Sequence, residues 1–78
     1  MADLAKELEH LAEADRQIAA AEAQLATVEA TADKLAATGA DLGETENLLT
    51  TMRDTLAAFR HNRRLIADTI EDIKAGRR

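Results

Sequence analysis

The turn signals of this chain lie in one stretch, residues 38–46, which constrains the fold more than any other feature. The chain has no proline, and only Gly76 of its three glycines lies elsewhere. Gly39 suits the left-handed position just beyond a helix end, where other side chains are strained. Asp41 is predicted to be the N-cap of a second helix, with Glu44 completing a capping box. A stop and a start so close together predict two long helices that fold back antiparallel.

The composition agrees with an all-α fold and limits the chemistry. The 78 residues are rich in alanine, leucine and acids, with Phe59 as the single aromatic residue, which is typical of coiled coils rather than sheets. Cysteine is absent, so disulfides and thiolate chemistry are excluded. The N-terminus lacks the basic and apolar segments of a signal peptide, and no apolar run approaches the ~20 residues that span a bilayer. We therefore expect a cytoplasmic protein with no membrane contact.

One helical-hairpin domain is predicted over residues 1–78. Helix 1 should begin near Ala2 or Asp3, and the closing residues 75–78 should stop helix 2, since they combine Gly76 with two arginines near the negative end of the dipole. The predicted bounds are about 3–37 for helix 1, 38–41 for the turn and about 42–74 for helix 2.

Both predicted helices repeat apolar residues at alternating intervals of three and four, the pattern of a coiled-coil seam. The seam is rich in alanine in helix 1, where Glu7 interrupts it, and in larger side chains in helix 2, where Arg63 interrupts it. Its members in helix 1 are Leu4, Leu11, Ala14, Ile18, Ala21, Leu25, Val28, Ala32 and Leu35, and in helix 2 they are Leu49, Met52, Leu56, Phe59, Ile66, Ile70 and Ile73.

Folding back about the turn sets residues whose numbers sum to roughly 80 at the same height. Small residues of helix 1 then meet large residues of helix 2, as in interdigitating helices. Phe59 is predicted to be a central core residue, so that Phe59→Ala would cost about 3–5 kcal/mol. The predicted layers are Ala21 with Phe59, Ala14 with Ile66, and Val28 with Met52.

Charge is distributed unevenly along the chain. Residues 1–40 hold 8 acids and 3 bases, a net charge of −5, whereas residues 41–78 hold 7 of each. Packing would lay an acidic helix along the arginines of the other. Arg63 is predicted to direct its guanidinium to Asp15 or Glu22. We favour a salt bridge that sets the register or lies at the rim of the seam, and a ligand or partner contact is the alternative.

Apolar residues exceed what one seam covers. Leu8, Leu48 and Leu65 fall outside it, and such a strip usually marks an association surface. We predict a homodimer in which two hairpins form an antiparallel four-helix bundle, with burial against a different protein as the alternative. Further alanines either serve helix propensity alone or form a second packing face: Ala12, Ala19, Ala23, Ala26, Ala30 and Ala37.

Two motifs could carry chemistry, and each has a simpler interpretation. Glu7 and His10 have the spacing of di-iron bundles but lack the inward glutamates that such a site needs, so a solvated pair is favoured. The run 60–64 holds three arginines but no interleaved aromatic residue for nucleic-acid stacking, so a solvated face is favoured. No nucleophile and base can be paired. We predict no enzyme, no catalytic, cofactor-binding or metal residues, no cofactor and no nucleic-acid partner.

Three segments of the chain resemble small uncharacterised proteins common in α-proteobacteria. They are His10-Leu-Ala-Glu-Ala-Asp-Arg-Gln-Ile18, then Gly39-x-Asp41-x-x-x-x-Glu46-x-Leu-Leu49, then Thr55-Leu56 with Arg60-x-x-Arg63-x-x-Ile66. Members often have threonine where this chain has Leu42. The resemblance, which spans about residues 8–70, implies a helical hairpin and a bacterial source, but no established activity and no binding residues.

The favoured function is a non-enzymatic helical interaction module that self-associates and contacts another protein. The alternative is a small regulator or inhibitor that binds and modulates a specific partner, with the acidic helix 1 as its docking strip. A stable homodimer favours the first, whereas a monomer that orders fully only with a partner favours the second.

Overall fold

The protein is a hairpin of two long helices. The computed structural model describes residues 3–77, which form α1 (Leu4–Ala37) and α2 (Gly43–Lys74) and contain no strand. The predicted all-α hairpin is confirmed. The hairpin measures 58 × 15 × 14 Å, so it is two helices wide and has no further layer. Ala2 and Arg78, which figure in the predicted ends, lie outside the described residues.

Helix α1 has a capped start and a closed end. The Asp3 carboxylate accepts hydrogen bonds from the backbone N–H groups of Ala5 at 3.0 Å and Lys6 at 3.4 Å, which satisfies donors that a helix leaves unpaired at its start. At the other end Gly39 adopts a φ of +76°. The N–H of Gly39 donates to the Ala36 carbonyl, and the next N–H along the chain reaches back to Leu35. These two bonds form a Schellman motif. The prediction that Gly39 closes helix 1 in the left-handed conformation is confirmed.

The start of α2 differs from the prediction. The N-cap position is Leu42, which makes no side-chain cap bond, so the prediction that Asp41 is the N-cap is wrong. The third helical position, where a capping box needs a glutamate, falls on Thr45 rather than Glu44. The Asp41 Oδ1 instead accepts from the Gly43 N–H at 2.9 Å. An aspartate bonds the backbone two residues on as readily as it caps, and here that local turn delays the helix by one residue.

The second helix also ends in a Schellman motif. Gly76 has a φ of +78°, its N–H donates to the Ile73 carbonyl, and the Arg77 N–H donates to the Asp72 carbonyl. The Arg77 guanidinium also binds the Asp72 carboxylate at 2.8 Å. Gly76 therefore stops the helix as the sequence predicted.

The core is a single line of contact between the helices. Four side chains of the described residues are buried, namely Ala14, Leu49, Leu56 and Ile70, and all four belong to the predicted seam. Ala21 borders the same groove as Phe59 and Met52, which agrees with the predicted register. Phe59 is only half-buried, however, so the prediction that it is a central core residue is wrong for a single hairpin. The full 3–5 kcal/mol cost of Phe59→Ala applies only where its exposed part is also covered.

Neither helix of the described chain has the length and apolar character needed to cross a lipid bilayer.

We expect Gly39→Ala and Gly43→Ala to change stability in opposite directions. Alanine at Gly39 must adopt the left-handed conformation, which costs about 1–2 kcal/mol. Gly43 is a helical residue whose added Cβ would meet only the Asp41 carboxylate, at 3.4 Å, so alanine there should raise the free energy of unfolding by about 0.4–1 kcal/mol. Urea denaturation measures both, and equal effects at the two glycines would contradict this account of the turn.

Candidate functional site

The seam between the helices has two edges, and they differ in chemistry. One, the ion-pair edge, carries acids from α1 and arginines from α2. Its members are Asp15, Glu22, Glu29, Arg53, Arg60 and Arg63. The arginine Nη2 atoms lie 3.1 Å from Glu29 Oε2 in the Arg53 pair and 3.0 Å from Glu22 Oε2 in the Arg60 pair, and Arg63 Nε donates to Asp15.

These pairs bear out the predicted juxtaposition of acids and arginines. Arg63 binds Asp15, one of the two carboxylates predicted for it, and Glu22 is bound by Arg60. Arg53 and Arg60 each lie four residues after a buried leucine of α2, that is, one turn further along the same side of the helix. The ion-pair edge therefore lies one turn beyond the buried seam residues Leu49 and Leu56.

The opposite edge, the uncharged face, is open. It consists of three grooves that share residues with one another and so form one surface. From α1 it takes Ala14, Gln17, Ala20, Ala21, Gln24, Thr27 and Val28. From α2 it takes Leu48, Thr51, Met52, Thr55, Phe59, Asn62 and Ile66. His10 and Glu13 lie beside Ala14, and they mark the end of the uncharged face.

Large apolar side chains remain exposed, as predicted. Leu48, at 49% exposure, belongs to the uncharged face. Leu65, at 52%, lies three residues after Asn62, which borders that face, and lines a separate groove with Asp68. Leu8, at 46%, lies four residues after Leu4 on the side of the ion-pair edge. Two of the three exposed leucines therefore fall on or beside one surface.

The alanines outside the seam of α1 are exposed in the hairpin. This holds for Ala12, Ala19, Ala23, Ala26, Ala30 and Ala37. Arg16 and Glu13 form an ion pair on the same helix, with 2.6 Å between nitrogen and oxygen. The exposure of the six alanines is compatible with both interpretations, helix propensity and a second packing face, and both stay predictions.

The two motifs considered for chemistry are both at the surface. His10 Nδ1 lies 3.6 Å from Glu7 Oε1, and the histidine is half exposed. Among residues 3–77, no three histidine, aspartate or glutamate side chains are placed to share a metal ion. Within the arginine run, Arg60 and Arg63 bind carboxylates of α1. Arg64 Nη2 lies 3.4 Å from His61 Nδ1. Both motifs therefore consist of solvent-exposed side chains or of ion pairs within the described chain.

The fold and its open edge define the class of protein as a small all-α helical hairpin with one uncharged surface. The chain matches no protein-family model, no curated protein and no solved structure. The likeness to small α-proteobacterial proteins therefore stays a prediction.

We expect the stem of Arg63, rather than its charge, to matter for stability. The Arg63–Asp15 pair is about half exposed on both sides, and such pairs contribute about 0–1 kcal/mol. Arg63→Met keeps an unbranched stem over the seam and should change the free energy of unfolding by less than about 1 kcal/mol. Arg63→Ala removes that packing and should cost more. Thermal or urea unfolding compares the two, and a Met variant as unstable as the Ala variant would show that the ion pair dominates.

Proposed function

We propose that this protein is a non-enzymatic interaction module that self-associates as a homodimer, pairing two hairpins in a four-helix bundle, and that the bundle contacts another protein. The observation that carries the proposal is the apolar surface that one hairpin leaves uncovered. Phe59 and Met52 are only half-buried, and Leu48 and Leu65 are about half exposed.

The exposed area supports this proposal quantitatively. The hairpin has 5532 Å² of accessible surface. A globular monomer of 8.4 kDa would expose about 4600 Å². The excess of about 900 Å² is close to the ~800 Å² that each partner buries in a protein–protein interface of standard size. A second hairpin would therefore restore the ratio of surface to mass that folded chains normally have.

Stability requirements point the same way. A chain of 78 residues is near the length at which a single core needs help from disulfides, metals or oligomerisation. The chain has no cysteine, and the described residues hold no metal-binding cluster. Association is a further means of completing the core.

The alternative, a regulator that docks by its acidic helix, has less support. Asp15, Glu22 and Glu29 are bound by arginines of the same chain, and Glu13 is bound by Arg16. A partner that used these carboxylates would first have to displace the arginines. The other form of this alternative places a different protein on the apolar surface.

The purified protein should have about twice the 8.4 kDa chain mass by light scattering at micromolar concentration. Its thermal midpoint should rise with protein concentration, because dissociation is coupled to unfolding. A folded species of single-chain mass, with a midpoint independent of concentration over a hundredfold range, would contradict self-association. A partly helical monomer would instead favour the regulator.

A further inference from the structure

We propose that the second copy docks on the uncharged face, using the same face of both chains, so that a two-fold axis relates the hairpins. This inference rests on the proposed self-association and states where it occurs. The ion-pair edge and the alanine-rich outer side of α1 are then the outer surfaces of the dimer.

The distribution of charge separates this face from the rest of the hairpin. Each chain carries a net charge of −5, so two copies repel one another unless charged groups stay out of the contact. The uncharged face holds only apolar, amide and hydroxyl side chains between Ala14 and Val28 of α1 and between Leu48 and Ile66 of α2. A second copy that docks on this face meets no charged side chain in the middle of the interface.

The polar groups of this face are suited to an identical partner. Gln17, Gln24, Thr51 and Thr55 border its central groove. An amide or a hydroxyl is both donor and acceptor, so it can hydrogen-bond to its own copy across a symmetric contact, in which the same patch serves both subunits. A charged side chain facing its own copy would be repelled. This self-complementarity favours a second copy over a partner of unlike chemistry.

The face is also centred on one layer of the hairpin. Ala21 lies midway between Ala14 and Val28, and the midpoint between Leu48 and Ile66 falls within one turn of Phe59. Ala21 and Phe59 border the same groove. A two-fold axis through this layer therefore superposes the whole face on its copy and covers the exposed part of Phe59.

The two other surfaces are less suited to the contact. On the ion-pair edge, the arginines and carboxylates already bind one another, and burying them would cost desolvation that those bonds do not repay. On the outer side of α1, Ala19 and Ala26 are exposed without large apolar neighbours, so burying that side would remove less apolar area from water.

Adjacent threonines provide a matched test. Thr50 and Thr51 are both exposed, and each hydroxyl donates to the carbonyl four residues earlier at 3.1 Å. Thr51 borders the central groove, whereas Thr50 lies about 100° away around the helix. The variants are Thr51→Lys/Thr55→Lys, its counterpart with Glu at both positions, and Thr50→Lys as control. Ala19→Lys/Ala26→Lys tests the alanine-rich side. Native mass spectrometry and far-UV circular dichroism give mass and helix content.

We expect each Thr51/Thr55 variant to raise the dimer dissociation constant by about a hundredfold or more, because it buries unpaired like charges, and the two controls to remain dimeric. Mixing the Lys and Glu variants should restore a heterodimer and its helix content, even if each variant alone is unfolded. Dimeric Thr51/Thr55 variants, failure of the mixture to associate, or loss of the dimer in the alanine-side variant would each overturn this face. A monomeric, folded unmodified protein would instead refute the self-association itself.

Discussion

Two helices can touch only along a line, and this geometric limit governs the rest of the structure. Each seam side chain is covered by the facing helix on one side and needs something else to cover it on the other. In a 58 × 15 × 14 Å hairpin no third layer is present to do so. Among the described residues only four side chains are buried, although the seam runs the length of both helices. The burial of the remainder depends on what lies along the edges of the seam.

The two edges meet this limit with different chemistry. Along one edge, Arg53 and Arg60 reach across to carboxylates of α1, one turn beyond the buried Leu49 and Leu56. Long stems of this kind can lie over apolar neighbours while the charged heads stay in water. Along the other edge, the short side chains of Thr51 and Thr55 cannot extend over Met52 and Phe59. The seam is thus covered by the chain itself on one side and left open on the other.

An open, uncharged edge gives the hairpin a direction in which to associate. A partner added there converts a line of contact into an enclosed layer, in which Phe59 is surrounded instead of half exposed. The side chains considered for metal or nucleic-acid binding are His10 and the arginines of α2. In the described chain they lie on the surface or in ion pairs. The role proposed for the open edge is to hold two copies together.

The sequence by itself determined the features that depend on local backbone preference and periodicity. Gly39 and Gly76 end the helices because the left-handed conformation costs glycine little, and the alternation of three and four defines the seam because it follows the turn of the helix. The small-to-large layers indicated the register, and the unequal charge of the two halves indicated that the arginines would pair with acids of α1.

Tertiary structure alone decided what depends on distances between side chains. Arg63 binds Asp15 and Arg60 binds Glu22, a division that depends on where the side chains lie across the seam. The local Asp41–Gly43 hydrogen bond moved the start of α2, because two turn geometries close in energy compete for one carboxylate. Phe59 was predicted to be enclosed but is only half-buried, because a seam pattern states which residues face the other helix but not how far that helix covers them. That coverage is a property of three-dimensional packing, and it is what distinguishes the closed edge from the open one.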